Sequence, residues 1–278
     1  MRPLLTDTSD NLRGALWMMV SVLGATGMTV LVRELSPEMH TRMIAFLRSA
    51  VGMAFVVPLL VRRNAAAQLR MKRPWLHVVR GALLSLALNF GFYAIWQLPV
   101  ATATILFFLA PVFSTLLAPL MVGERVGPRR WSAVGIGFLG ALIVLRPGLE
   151  GFSLASLAAV GSSLMFGIGL LLGKRVSQDD GSDAVFFSSA VMVALLTLPI
   201  ALPVWSWPTS LWIWVALIGL SAASSLRGYA DIRAFAVAEA SFVGPISYLR
   251  LPAVALAGWW LYQETLDWPT LVGGGIIA

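Results

Sequence analysis

Apolar residues run through this chain in long blocks separated by short polar breaks. Blocks of about 17–25 such residues are the length that crosses ~30 Å of hydrocarbon as helix. They predict spans over residues 12–32, 42–61, 76–96, 101–122, 131–145, 152–173, 184–204, 211–236 and 240–262, with a tenth opening at 268. The tenth holds only about ten residues before Ala278, or ~15 Å of helix. A truncated tenth helix, in a chain that stops short of its natural terminus, is therefore expected. The longest connection, roughly 62–75, has no room for a soluble domain.

Composition agrees with an all-α integral membrane protein: 58% of residues are hydrophobic and 12% charged. The first eleven residues are polar, and the apolar run behind them is too long for a signal-peptide core and lacks an A-x-A-like site. There is no cysteine, which excludes disulfides, thiolate chemistry and Cys-based metal sites. A net charge of +7 raises the question of nucleic acid, but its distribution answers it. With the N-terminus in the cytoplasm, 15 Lys and Arg residues fall on inside loops and flanks against Arg33, Arg42 and Arg146 outside. That asymmetry is the positive-inside pattern; the basic charge orients the chain and lies against anionic headgroups. The partners expected are a small-molecule substrate and the lipid bilayer, with no nucleic acid and no cofactor, as monomer or homodimer. The location expected is a bacterial inner membrane, multi-pass.

The second half repeats the first at a shift of 140 or 141 residues. Pro58 falls on Pro199, Arg33-Glu34-Leu35-Ser36 on Lys174-Arg175-Val176-Ser177, Glu124 on Glu264, and Gly135-Ile136 on Gly275-Ile276. Residues 1–147 and 148–278 are thus expected to be two five-helix units. Five is odd, so the second unit enters the membrane from the opposite side and the repeats are inverted. Alternating access around a site between the halves follows as an expectation.

Specific sequences now add to the pattern. Leu98-Pro99-Val100-Ala101-Thr102-Ala103, Phe107-Phe108-Leu109-Ala110-Pro111-Val112-Phe113 and Gly123-Glu124-Arg125 stand in the first half. Arg233-Ala234-Phe235, Ala238-Glu239-Ala240-Ser241, Tyr248-Leu249-Arg250-Leu251-Pro252 and Gln263-Glu264 stand in the second. They resemble the two EamA-type repeats of the drug/metabolite transporter superfamily, over essentially the whole chain. Within it the chain looks most like ten-helix bacterial amino-acid and metabolite exporters. The resemblance implies cytoplasmic termini and a central cavity lined by spans 1, 3, 4, 6, 8 and 9, with spans 5 and 10 peripheral. It also implies export.

Charged groups at mid-membrane depth cost ~2.5 kcal/mol or more, so each needs a reason. Arg48 in span 2 and Arg250 in span 9 have no acid at i±3 or i±4. Each could hold a substrate carboxylate, Arg250 being the better candidate; the alternative is a snorkelling or backbone-bonded arginine. Arg227 and Asp231, i and i+4 on span 8, are gate candidates or a neutralised pair anchoring a helix end. Trp17 and Ser21, Asn89 and Tyr93, Thr104 and Phe108, and Tyr248 supply the mix of aromatic area and isolated polar groups found in small-molecule sites. The competing reading is aromatic packing and interfacial belts. Pro111 and Pro252 interrupt spans 4 and 9 at nearly equivalent repeat positions and are the expected hinges.

An intramembrane enzyme would want paired acids, histidines or a nucleophile with a base. His40 and His77 lie near span ends on opposite sides, and no metal-ligand spacing occurs. A channel would want a charge ring or a selectivity loop, and neither is present. The reading is a secondary transporter exporting small metabolites, most simply amino acids, by alternating access. The runner-up is a proton-coupled exporter of drugs, nucleosides or cationic compounds on the same fold.

Overall fold

The computed structural model describes residues 8–56, 71–123, 127–145, 153–237 and 246–277. Every secondary-structure element among them is helical, and the helices fall in ten stretches that follow the ten predicted blocks. They are α1 (Thr8–Leu35), α2 (Thr41–Gly52), α3 (Pro74–Gln97), α4 (Val100–Phe107) with α5 (Leu109–Val122), α6 (Pro128–Leu145), α7 (Leu154–Asp180), α8 (Ser182–Ala201), α9 (Leu211–Val237), α10 (Arg250–Tyr262) and α11 (Trp268–Ile277). Six stretches are long and apolar enough to cross a membrane: Asn11–Leu35, Pro74–Gln97, Val100–Met121, Leu154–Asp180, Ala184–Val204 and Leu211–Asp231.

Two blocks differ from expectation. The second closes as α2 and a 3₁₀ turn, Met53–Val56, and the rest of its predicted span, with Pro58, lies outside the described residues. The ninth is α10 preceded by a 3₁₀ turn, Ser247–Leu249, and residues 240–245, including Pro245, are likewise outside. So is Glu124. Helix starts use ordinary chemistry. Ser153 caps α7 by accepting from the Ser156 N–H at 3.0 Å, and His40 caps α2 by accepting from the Arg42 N–H at 3.2 Å.

The most extensive packing is α1 on α9, α3 on α7, and α6 on α11, with α2 against both α8 and α9. Small residues set the distances, because helices in lipid associate by close fit. A Cβ on Gly24 of α1 would sit 3.0 Å from the Ala223 carbonyl oxygen of α9, and one on Gly273 of α11 2.7 Å from the Gly140 carbonyl oxygen of α6. A Cβ on Gly81 of α3 would overlap the Met192 side chain of α8.

The main apolar core sits at one end of the bundle, where α1, α3, α8 and α10 finish and α2, α4 and α9 begin. Val32, Leu35, Met43, Ile44, Ile95, Val100, Leu217 and Leu220 are fully buried there. A polar clamp lies over it. Arg33 donates to the carbonyls of Ile95 at 3.0 Å, Trp96 at 2.5 Å and Leu98 at 3.2 Å, and stands 3.8 Å from the Glu264 carboxylate. Glu264 accepts from the Val100 N–H at 2.8 Å. It reaches that position because Gln263 turns the chain with φ of 55°, and because Gly258 leaves room where a Cβ would press within 2.9 Å of the carboxylate. Glu264 therefore fixes a loop to the start of span 4, the structural role available to it from sequence.

Candidate functional site

Two helix breaks meet inside the bundle. Proline lacks an N–H and its ring crowds the carbonyl four residues back, so the distortion appears ahead of the ring. Pro111 is the third residue of α5, and the break is at Phe108, with φ −71° and ψ −3°. Pro252 is the third residue of α10, and the distorted turn is Ser247–Leu249. Phe108 and Tyr248 belong to these two breaks and face each other with ring centroids 5.3 Å apart and planes inclined at 39°. The Arg250 guanidinium lies 5.9 Å from the Phe108 ring centre, within cation–π range.

Arg250 also lies in the electrostatic field of Arg227 and Asp231 on α9. Arg227 and Asp231 form the i,i+4 pair at 3.9 Å. Ser21 of α1 donates to the Asp231 carboxylate across the helix–helix contact. Four residues before Ser21, Trp17 meets Tyr229 edge to face at 5.7 Å. The Arg233 guanidinium stands 5.9 Å from the Trp17 ring centre and 6.0 Å from that of Tyr229. Spans 1, 4, 8 and 9 thus bring together Trp17, Ser21, Phe108, Arg227, Asp231, Tyr248 and Arg250. The group holds aromatic faces, one carboxylate and three guanidiniums counting Arg233, which suits a ligand with a π surface and anionic or acceptor groups.

The remaining expected positions lie elsewhere. Asn89 is buried in α3 and donates to the Ser85 carbonyl of its own helix at 2.9 Å. Its Oδ1, and the neighbouring Ser85 hydroxyl, are buried without a hydrogen-bond partner among the described residues. Tyr93 packs edge-on against Trp96 at 6.1 Å. Thr104 is buried and returns its hydroxyl to the Val100 carbonyl at 2.8 Å, so its role is packing within α4. Arg48 donates to the Ser224 hydroxyl, and the two line a second cavity.

A cavity of about 650 Å³ lies beside this cluster and shares Tyr248 with it. It runs between α4, α10 and α11 and is lined mainly by apolar groups, among them exposed Leu256, Trp259 and Leu271. Such a groove faces where lipid chains would lie. Sequence reasoning missed Tyr229, the partner of Trp17, and a buried tie at the end of α3. There His77 Nδ1 meets the Ser188 hydroxyl at 2.5 Å and Nε2 meets Asp180 at 2.9 Å, while the Lys72 N–H donates to Asp180 at 2.9 Å. Its Ser–His–Asp order imitates a hydrolase, yet Ser188 and His77 are each 1% exposed and no substrate reaches them. The tie joins α3, α7 and α8. Partners 103 and 111 residues away leave no spacing to read.

Two helix breaks that meet beside charged and aromatic groups, in a bundle helical throughout its described residues, are an arrangement that membrane carriers use. Residues 12–146 match the EamA-like transporter family. A riboflavin transporter of Vibrio cholerae is 30% identical over 96% of this chain and 91% of its own length. An S-adenosylmethionine uptake transporter of Rickettsia prowazekii is 27% identical over 96% and 90%. A pseudopaline exporter of Pseudomonas aeruginosa is 30% identical over 90% and 88%. A known crystal structure, 18% identical, superposes with a TM-score of 0.65 over 95% of this chain and 93% of its own, which establishes the fold alone. The chain belongs to the EamA-like transporter family of the drug/metabolite transporter superfamily. It is a multi-pass membrane protein and a secondary transporter of small metabolites, not an enzyme.

Proposed function

We propose that the transported metabolite carries a heteroaromatic ring with polar substituents, of the flavin or nucleoside type, and that it binds between the two helix breaks. The observation that carries this reading is the Phe108–Tyr248 pair with Arg250 over it. A planar ring enters such a site by stacking, and the guanidinium takes an acceptor or anionic group on its rim. The named substrates of the similar proteins, riboflavin and S-adenosylmethionine, both contain a heteroaromatic ring system. Amino acids, aromatic ones included, were the simpler expectation; they share an α-amino and a carboxylate group with S-adenosylmethionine and neither with riboflavin. Direction is left to measurement, since the relatives include both an uptake transporter and an exporter.

Ten membrane passes as two inverted five-helix repeats are part of the same proposal. Exchange the halves, and the α1–α9 contact becomes α7–α3, while α2–α9 becomes α8–α3; all four packings occur. The α6–α11 and α2–α8 packings map onto themselves. The breaks at Phe108 and Tyr248 are separated by the repeat length. Alternating access then consists of the two broken spans changing angle about Pro111 and Pro252.

Counterflow in proteoliposomes without an ion gradient tests the reading, with labelled riboflavin, S-adenosylmethionine, adenosine and tryptophan. Saturable riboflavin or nucleoside counterflow, lost in Arg250→Ala, is the expected result. Counterflow of tryptophan alone would replace the proposal with amino-acid transport.

A further inference from the structure

A second polar cavity, of about 190 Å³, lies between α2, α8 and α9, in the bundle but apart from the paired breaks. Arg48 and five serines line it: Ser49, Ser189, Ser221, Ser224 and Ser225. Among the described residues, no acidic one does. Arg48 donates through Nε to the Ser224 hydroxyl at 3.0 Å, and its two Nη groups make no hydrogen bond among the described residues. The charge that bears most on it is another cation, Arg227. A third, Arg80 of α3, donates to the Ser189 hydroxyl on the cavity wall and to the Gly169 carbonyl at 3.1 Å.

We infer that this cavity is an oxyanion site for a phosphate-class group, in which Arg48 provides the charge and the hydroxyls of Ser224 and Ser225 the remaining donors. Uncompensated charge at membrane depth is expensive, and a bound anion would remove that cost. Ser49 and Ser221 return their hydroxyl protons to the carbonyls of Ala45 and Leu217, both at 2.8 Å. Ser224 accepts from Arg48, which leaves its own O–H to donate onward. Guanidinium and hydroxyls on one concave surface match the oxygens of a phosphate group. At about 190 Å³ the space is smaller than the ~300 Å³ at which ligand pockets begin, so it excludes a ring-bearing metabolite and accepts an anionic group alone. An anion held there would tie α2 to α8 and α9, which belong to opposite halves of the proposed repeat. Free inorganic phosphate and a phospholipid headgroup offer the same oxygens.

The test is equilibrium dialysis of ³²P-phosphate against the full chain in nonionic detergent, with chloride holding ionic strength constant. Expected is saturable binding that falls about tenfold or more in Arg48→Gln and by a smaller factor in Ser225→Ala, each loss being that of a donor to a charged acceptor. Ser225→Ala removes one half-buried hydroxyl of the cavity lining and serves if Arg48→Gln does not fold. Native mass spectrometry from nanodiscs containing phosphatidic acid separates the two sources. One retained anionic lipid that is absent from both variants, and that blocks phosphate uptake, assigns a headgroup. Phosphate binding that such lipid leaves unchanged assigns the free ion. If wild type holds neither phosphate nor lipid, or both variants bind as well as wild type, the inference is overturned. The measurement needs no transport, so its failure is separate from failure of the transport reading.

Discussion

The two ends of the bundle are built differently. At the clamp end, Arg33 gathers three backbone carbonyls from the end of α3 and the residues after it, Glu264 holds the start of α4, and the Tyr262 hydroxyl donates to the Val30 carbonyl at 3.3 Å. Beneath these lies the main apolar core. At the other end, Met18 and Ala234 are the buried members of a small cluster, packed against Trp17 and Ile246. There the charged groups stand in the open part of the bundle: the side chains of Arg227 and Asp231 are 25% and 37% exposed. A carrier that opens to one side at a time needs one sealed end and one accessible end, and this asymmetry matches that requirement.

The sharpest way to break the comparison is to cut the clamp. The chain has no cysteine, so single cysteines report access without a background. Leu217→Cys is placed in the clamp-end core and Gly228→Cys at the open end, where a Cβ meets nothing within 4 Å. An impermeant maleimide is expected to label Gly228→Cys and spare Leu217→Cys. Adding Arg33→Ala removes charge-assisted bonds worth ~1.5–3 kcal/mol each, enough to raise labelling at Leu217→Cys by about tenfold or more. Unchanged labelling would mean that the apolar core alone seals that end.

The hinge substitutions come next in expected size. Pro111→Ala and Pro252→Ala restore an N–H and let the broken spans straighten. Counterflow is expected to slow several-fold, with membrane insertion and substrate binding retained. Unchanged turnover would reduce both prolines to packing features. Gly81→Ala is a control for rigid packing away from both ends. Its methyl group meets Met192 in the α3–α8 contact, so a melting point lowered by ~1–3 kcal/mol of lost stability is expected, with unchanged transport per folded molecule.

What was legible in the sequence follows from how far apart the interacting residues are. The apolar blocks and the two prolines are local features, and the described helices follow the blocks to within a few residues, except that α7 runs on to Asp180 and the second and ninth blocks lie partly outside the described residues. Trp17, Ser21, Phe108, Tyr248 and Arg250 stood out in the sequence as residue types alone. Their convergence was not, because it depends on which helix faces which. Asn89, Tyr93 and Thr104 share the same chemistry on paper, but Thr104 spends its hydroxyl on its own helix and Tyr93 packs on Trp96. Arg48 and Arg250 were alike as buried arginines without local acids. Arg250 meets the Phe108 ring at the α4–α5 break and Arg48 a cavity of serines on α2, α8 and α9, a distinction made by the helices that face each.

The smallest expected effect sharpens the open end. Arg227 and Asp231 were the gate candidates, yet both are on α9, and a pair within one helix cannot hold two helices together. The contact that crosses from α1 to α9 is the Ser21 hydroxyl on Asp231. The ion pair at 3.9 Å is partly exposed, and such pairs contribute ~0–1 kcal/mol. A hydrogen bond to a charged acceptor from a buried donor contributes ~1.5–3 kcal/mol. Ser21→Ala is therefore expected to loosen the α1–α9 contact and change counterflow by about threefold or more, while Arg227→Gln changes it less. If Arg227→Gln has the larger effect, Arg227 acts on the substrate or on Arg250 directly, and the open end is a binding surface rather than a gate.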